Sequence, residues 1–229
     1  MAPVLGYWNL RGLVMPIKYV LQEAGVEYED KVYQLNPPDY NRESWLKEKF
    51  NLGLDFPNLP YYLDGDVKLT QSLAILRYVA KKYGLGGDTA EEQAVADMVS
   101  CQIFDLRMEM AYLFYTKWND DNKKDFLNNS LPGKMKLLEN FMNGKKFVLG
   151  DKVSYADFFL WETIDHLLFL TPDLLKEYPN MKTFYDAIAS RPKMKSYMES
   201  DKFIKFPLNG PIAGWGGKME DIKIRYPEA

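Results

Sequence analysis

Residues 58–77, NLPYYLDGDVKLTQSLAILR, restrict the architecture more than any other stretch of the chain. Residues 59–63 read as a short strand, Asp64-Gly65 as a tight-turn pair, and residues 67–69 as a returning strand. Thr70, Gln71 and Ser72 then offer hydroxyl and amide caps to a helix carrying Ala74, Ile75, Tyr78 and Val79. The free N–H groups and dipole of such a helix start favour negative charge. Pro60 has no N–H to give to a ladder, so an open sheet edge is expected beside it. Taken alone, this is an ordinary hairpin and helix with a polar cap; what surrounds it decides.

Upstream, residues 3–8 form a short apolar run of buried-strand character, and Arg11-Gly12 leads into a helix over residues 13–24. That helix carries Leu13, Ile17, Val20 and Leu21 at helical spacing and stops at Gly25. Residues 27–35 read as a second strand, which makes a βαβ unit with a parallel pair and a right-handed crossover. A long polar loop follows over residues 36–58, with Pro37-Pro38 and a short helix expected at 44–50. Loops of this length in a compact domain are usually functional. The order β-α-β-α-β-β-α resembles a thioredoxin-like fold.

Gly84-Leu85-Gly86-Gly87 breaks the pattern. No strand precedes it and its glycine spacing is wrong for a phosphate loop, so it reads as a linker. Every strong segment beyond it is helical. The expected helices span 91–115, a stretch ending before Leu131-Pro132, a helix from there to about 142, then 180–190 and 192–200. Residues 119–125, a dense run of mixed charge, read as a solvated loop. Ser154 and Asp157 are spaced as a capping box, and residues 158–170 are apolar nearly all round, as a buried central helix requires. Residues 202–229 read as an extended tail rich in Gly and Pro. The expected division is an α/β thioredoxin-like domain over residues 1–83, a linker over 84–90 and an all-α domain with its tail over 91–229.

A chain of 229 residues, 47% hydrophobic and 15% aromatic, can bury a full core. Its net charge of −3, with both signs interspersed, argues against a nucleic-acid surface. Cys101 is the sole cysteine, which removes an intrachain disulfide, a CxxC pair and a cysteine metal site, and suits a reducing compartment. With no signal-peptide pattern and no apolar run of about 18 residues, a soluble cytoplasmic protein is expected. His166, the sole histidine, lies in the most apolar segment and reads as a packed core residue rather than a base. No carboxylate–histidine cluster has ligand spacing, so no metal is expected. A thioredoxin-like unit without CxxC does no dithiol exchange itself, but it can bind a thiol brought by a ligand.

At this point the residues resemble a family. Residues 6–12 (GYWNLRG), Trp45-Leu46 with Lys49-Phe50, residues 53–60 (GLDFPNLP), and Thr70-Gln71-Ser72 with residues 74–78 are similar to cytosolic glutathione S-transferases, and more narrowly to the mu class. Residues 213–216 (AGWG) resemble the mu-class C-terminal end. The resemblance covers about residues 3–218.

It implies that glutathione, an anionic tripeptide with a central thiol, is the co-substrate. Gln71 and Ser72 then match the site for its γ-glutamyl carboxylate, and Leu59 before Pro60, with Asn58 assisting, matches the backbone partner of its cysteinyl part. Arg42, Trp45 and Lys49 match donors to the glycyl carboxylate. Asp105 matches a carboxylate that reaches the γ-glutamyl ammonium in the neighbouring subunit. Tyr7, with Trp8 beside it, matches the catalytic tyrosine. A thiol of pKa about 8.5 is only a few per cent ionised at neutral pH. Lowering it by about two units needs roughly 2.7 kcal/mol, which one charge-assisted hydrogen bond from a phenol can largely supply.

The apolar wall of the electrophile pocket would draw on Trp8, Leu10, Leu13, Phe104 and Met108, together with Ala111, Tyr115, Leu208 and Asn209. The chain departs from the family at residues 208–211 (LNGP), which replace a bulkier apolar segment, and at residues 221–229, which extend past the usual end. Phe56 matches an aromatic key that enters a partner subunit, and Arg77 matches an interface arginine, so a homodimer is implied. The implied activity is transfer of glutathione to hydrophobic electrophiles. A non-catalytic ligand-binding or structural relative and a glutathione-dependent isomerase or peroxidase remain as alternatives.

Overall fold

The computed structural model describes residues 2–218 and 220. Strand β1 (Val4–Trp8) leads through α1 (Met15–Ala24) to β2 (Glu29–Tyr33), which pairs parallel with β1 from Val4↔Glu29 to Trp8↔Tyr33. After α2 (Glu43–Leu46) come β3 (Tyr61–Asp64), β4 (Val67–Thr70) and α3 (Ser72–Lys82). The sheet runs β2-β1-β3-β4, and β3 is antiparallel to both neighbours. This is the expected βαβ unit followed by a hairpin and a helix.

The two-residue alternation of the strands separates two cores. Leu5 and Tyr62 enter the main hydrophobic core beneath α1 and α3. Tyr33 and Tyr61 point to the other face, where they pack with Trp45 and Leu54 of the long loop. Trp45 stacks on Tyr61 at 6.0 Å and meets Tyr33 edge-on at 5.4 Å, so the loop is fastened to the sheet by aromatic contacts.

From residue 90 onward the major elements are helices: α4 (Ala90–Thr116), α5 (Asp120–Asp125), α6 (Leu131–Met142), α7 (Tyr155–Leu170), α8 (Pro179–Ala189) and α9 (Pro192–Met198). Every residue of α7 is buried, which is why its sequence is apolar all round. Burying Phe158, Leu160, Trp161, Ile164 and Leu167 there contributes about 1.5–3 kcal/mol each. Its N-terminus is closed by the expected capping box: Asp157 Oδ2 accepts from Ser154 N and Oγ at 2.7 and 2.9 Å, while Oδ1 accepts from Val148 N at 2.7 Å.

Four local expectations are corrected. Residues 120–125 are helical, because Asn119 caps Asn122 N at 2.8 Å and the acidic-then-basic order of the run suits a helix dipole. The chain does not leave the helix before Pro132; a π-helical turn (Phe126–Ser130) carries α5 into α6, whose first turn holds the proline. Among the described residues no side chain caps α3; Gln71 precedes it with φ +70°, a strained left-handed value for a non-glycine residue. Pro60 marks no sheet edge, since β3 lies between β1 and β4 and the proline simply precedes its ladder. Residues 221–229, the tail extension, lie outside the described residues.

Candidate active site

Strand register collects the expected site at one end of the sheet. Trp8↔Tyr33, Gly6↔Tyr61 and Tyr61↔Thr70 are successive neighbours across the strands. The C-terminal ends of β1 and β4 therefore flank the start of β3. Tyr7 and Trp8, Leu59-Pro60, and Gln71-Ser72 at the head of α3 all fall in this row. Trp45, stacked on Tyr61, extends it into the loop, where Arg42 is exposed and Lys49 is half-buried with its ammonium 5.2 Å from the Phe50 ring. The peptide bond before Pro60 is cis. Leu59 N–H is directed to Asn58 Oδ1 at 2.9 Å. Asp105 is exposed on α4.

The loop between β1 and α1 returns to the end of its own strand. Leu13 N–H donates to Tyr7 Oη at 3.2 Å. Gly12 makes this possible: its φ is +40°, and a Cβ there would fall 2.5 Å from Tyr7 Oη and 2.6 Å from Leu10 Cδ1. The C-terminal segment seals the other side, with Arg11 N and Gly12 N donating to Pro207 O and Leu208 O at 2.9 and 3.0 Å. Tyr7 is 7% exposed, and burial pushes its phenol up to about 12, against the lowering influence of Leu13 N–H; Tyr115 raises it and Arg107 lowers it. The hydroxyl thus keeps its proton at neutral pH while its oxygen already accepts one hydrogen bond. It is set to donate.

Tyr7 opens onto a cavity of about 230 Å³ lined by Gly12, Leu13, Arg107, Met108, Met110, Ala111, Phe114, Tyr115, His166 and Asn209. Five of the expected pocket residues, Leu13, Met108, Ala111, Tyr115 and Asn209, line it. Trp8, Leu10, Phe104 and Leu208 do not; Leu10 and Leu208 are in the main core, and Trp8 and Phe104 pack against it. Tyr115 Oη accepts from Gly210 N at 2.6 Å, which ties the pocket rim to the C-terminal segment and leaves the Tyr115 proton available. Asn209 Nδ2 is held by Trp215 O at 3.0 Å.

Arg107 and His166 were not anticipated here. Arg107 lies one and two helical turns before Ala111 and Phe114, a spacing that marks the cavity-facing stripe of α4. His166 is 1% exposed, a core residue as expected, yet it also lines the cavity. Arg107 Nη1 donates to its Nδ1 at 2.7 Å, so the histidine proton sits on Nε2, 2.9 Å from Glu162 Oε1. Burial and the neighbouring Arg107 push His166 down to about 4, which keeps it neutral. Burial alone would raise Glu162, but Arg11 and His166 outweigh it and hold this carboxylate well below its ordinary range. Arg11 Nε and Nη2 clasp Glu162 at 3.1 and 2.5 Å, and Nη1 lies 2.7 Å from Asp165.

Phe56 is 76% exposed on the loop, and Met98 and Tyr112 are exposed on α4. Arg77 Nε donates to Asp97 Oδ1 at 2.7 Å, tying α3 to α4 within the chain. Among the described residues no group of His, Cys, Asp and Glu could hold a metal ion, and no helix is long and apolar enough to cross a membrane.

The model of the glutathione S-transferase N-terminal domain family matches residues 3–81, and that of the C-terminal domain family matches residues 104–201. The chain is 44% identical to the glutathione S-transferase class-mu 26 kDa isozyme 51 of Fasciola hepatica, over 93% of this chain and 95% of that one. It is 42% identical to glutathione S-transferase Mu 1 of Rattus norvegicus, over 95% and 100%. Among solved structures, the Pi-class glutathione S-transferase of Onchocerca volvulus superposes with a TM-score of 0.83 at 30% identity, covering 93% of this chain and 100% of that one.

Proposed function

The chain belongs to the glutathione S-transferase family, in its mu class, and from that premise we propose that Tyr7 holds the glutathione thiol as its anion by donating a hydrogen bond to sulfur. The overall activity is conjugation of glutathione to electrophiles, with glutathione as co-substrate. The observation that carries the role of Tyr7 is its geometry: a buried phenol on the cavity wall, protonated at neutral pH, whose oxygen receives Leu13 N–H at 3.2 Å.

The residues fit the tripeptide. The head of α3, uncapped by side chains among the described residues, suits the γ-glutamyl carboxylate at Gln71 and Ser72. Leu59 and Asn58, ahead of Pro60, offer backbone and amide groups to the cysteinyl unit, and Arg42, Trp45 and Lys49 supply charge and direction for the glycyl carboxylate. The thiol proton leaves to solvent, and the sulfur lone pair attacks the electrophilic carbon. From an aryl halide the halide departs with its bonding pair. Met108, Ala111, Phe114 and Leu13 offer the second substrate an apolar wall, and Tyr115 faces it with a free proton. Thiolate stabilisation and proximity supply most of the acceleration.

The working unit is a homodimer in the cytoplasm, with residues 1–83 as the glutathione-binding domain, 84–90 as linker and 91–229 as the helical domain. Three-quarters exposure of Phe56 on its loop, with Met98 and Tyr112 also exposed on α4, supports apolar surface covered by a second copy. Asp105 would then complete the partner's glutathione site. The test is conjugation across a panel of electrophiles with Tyr7→Phe as control. Retained glutathione binding with activity appearing only at higher pH supports the reading. An unchanged rate and pH profile removes Tyr7 from the role, and binding without conjugation of any electrophile would favour a non-catalytic carrier.

A further inference from the structure

Glu48 is an odd neighbour for an anion site. It adjoins Lys49 in the loop read as the binder of the glycyl carboxylate, where by charge alone it would repel that ligand. Its hydrogen bonds give it another part. Tyr33 Oη donates to Glu48 Oε2 at 2.7 Å, and Tyr61 Oη lies 3.0 Å from Tyr33 Oη. A phenol has one proton to give. With the Tyr33 proton directed to the carboxylate, Tyr61 donates to Tyr33, and a chain of two hydrogen bonds runs from the sheet to the loop. Both phenols are buried on the sheet face that the loop covers. Lys31 Nζ meets the other carboxylate oxygen, Oε1, at 3.1 Å. The bond from Tyr33 is the main influence holding Glu48 below the ordinary carboxylate range, with burial opposing it and Lys31 adding to it. Burial pushes the Tyr33 phenol up. At neutral pH the pair is therefore a protonated phenol on a charged carboxylate, the stronger kind of hydrogen bond.

The turn passes this anchor on to its neighbours. Glu48 N and Lys49 N both donate to Trp45 O, at 3.0 and 2.9 Å, and Leu46 N donates to Arg42 O at 2.9 Å. Arg42, Trp45 and Lys49 thus belong to one hydrogen-bonded turn. Its Trp45 ring rests on Tyr61 and Tyr33, and three residues on its Glu48 carboxylate is held by Tyr33. A ring contact alone leaves such a turn free to pivot, and the second anchor removes that freedom. We propose that Glu48 is a positioning residue for glutathione: by accepting from Tyr33 it holds the turn in the arrangement that receives the glycyl carboxylate. The proposal rests on the reading of Arg42, Trp45 and Lys49 as the donors to that carboxylate. A loop held in its bound conformation before the ligand arrives raises affinity, because the ordering is no longer a cost of binding.

The sign of one substitution separates position from charge. Glu48→Ala removes a negative charge beside an anion site, which by charge alone should lower the KM for glutathione; loss of the anchor should raise it. Rates with an aryl halide are measured against two thiols, glutathione and γ-glutamylcysteine, which lacks the glycyl unit. The proteins are wild type, Glu48→Ala, Glu48→Gln and Tyr33→Phe. Glu48→Ala and Tyr33→Phe are expected to raise the KM for glutathione about five- to tenfold, with kcat at saturating thiol and the KM for γ-glutamylcysteine as in wild type. Glu48→Gln keeps an acceptor for Tyr33 and loses only the charge and the half-exposed pair with Lys31. Its KM for glutathione should stay within about twofold of wild type.

An unchanged or lower KM for glutathione in Glu48→Ala overturns the proposal. So does an equal rise for both thiols, which would mean a general loosening of the domain. A rise in Glu48→Gln as large as in Glu48→Ala, or no selective rise in Tyr33→Phe, overturns it too, because the bond from Tyr33 is then not what holds the turn. If wild type has the same KM for both thiols, the reading of Arg42, Trp45 and Lys49 fails, and the proposal falls with it. Should Glu48→Ala not fold, the other two variants decide: a selective rise in Tyr33→Phe with none in Glu48→Gln supports the anchor, and any other pair of results refutes it.

Discussion

Gly12→Ala separates strain from chemistry at the centre of this site. The backbone at Gly12 has φ +40°, so any side chain there costs about 1–2 kcal/mol in conformational strain. The new methyl would also lie 2.5 Å from Tyr7 Oη and 2.9 Å from Tyr7 Cε1, where comfortable contact is about 3.5–4.0 Å. The phenol must therefore move by about 1 Å, which takes the 3.2 Å bond from Leu13 N–H out of range. Misplacing a reacting group by about 1 Å can cost about 100-fold in rate. Initial rates with an aryl halide at saturating glutathione should fall 30- to 100-fold, while urea unfolding should show a loss of only about 1–2 kcal/mol. Gly65→Ala is the control. Its φ is +62° and no atom lies within 4 Å of a Cβ there, so it carries the same strain with no contact to the site. Its stability should fall equally and its rate should not change. Near-normal activity in Gly12→Ala, or equal loss in both variants, would refute the placement of Tyr7 against this loop.

Three other outcomes follow from the geometry. Asp157→Ala removes the acceptor of three hydrogen bonds at the head of α7 and leaves Val148 and Ser154 N–H buried, so equilibrium unfolding should show a loss of about 2–4 kcal/mol; less than about 1 kcal/mol would mean water replaces the carboxylate. His166 is depressed in the fold to about 4 from an ordinary 6.5, so its contribution is present above pH 6.5 and is lost as pH falls toward 4, to roughly 3 kcal/mol in full. His166→Gln should flatten that part of the stability–pH curve, and an unchanged slope would contradict the buried neutral imidazole. Phe56→Ser should weaken self-association by about 100-fold in sedimentation and lower activity with it, as expected for an anchor residue; an unaltered dimer would remove Phe56 from the interface.

The fold was legible because local signals agreed with one another. The strand-helix-strand run, the hairpin turn and the Ser154–Asp157 box each depend on a few neighbouring residues and are present; only the turn is shifted by one residue, to Gly65-Asp66, because Asp64 still pairs with Val67. The charge run before Phe126 has the polarity of a loop, yet Asn119, Asp120 and Lys124 follow the cap-acid-base order of a helix, and that order prevails. Gln71 precedes α3 without capping it, in a strained conformation that no local pattern announces. The site was legible in its outline at the sheet end, because strand register brings those segments together. Arg107 and His166 were not, since their meeting joins α4 to α7 and depends on how the two helices pack.

The central claim is that Tyr7 donates to the glutathione sulfur. The most direct measurement is the ultraviolet absorbance of the thiolate in the complex with glutathione, titrated over pH for wild type and Tyr7→Phe. In wild type, ionisation should be complete well below the ordinary thiol value of about 8.5, and Tyr7→Phe should move it back up by about two units with glutathione still bound. Identical titrations in the two proteins would contradict the account.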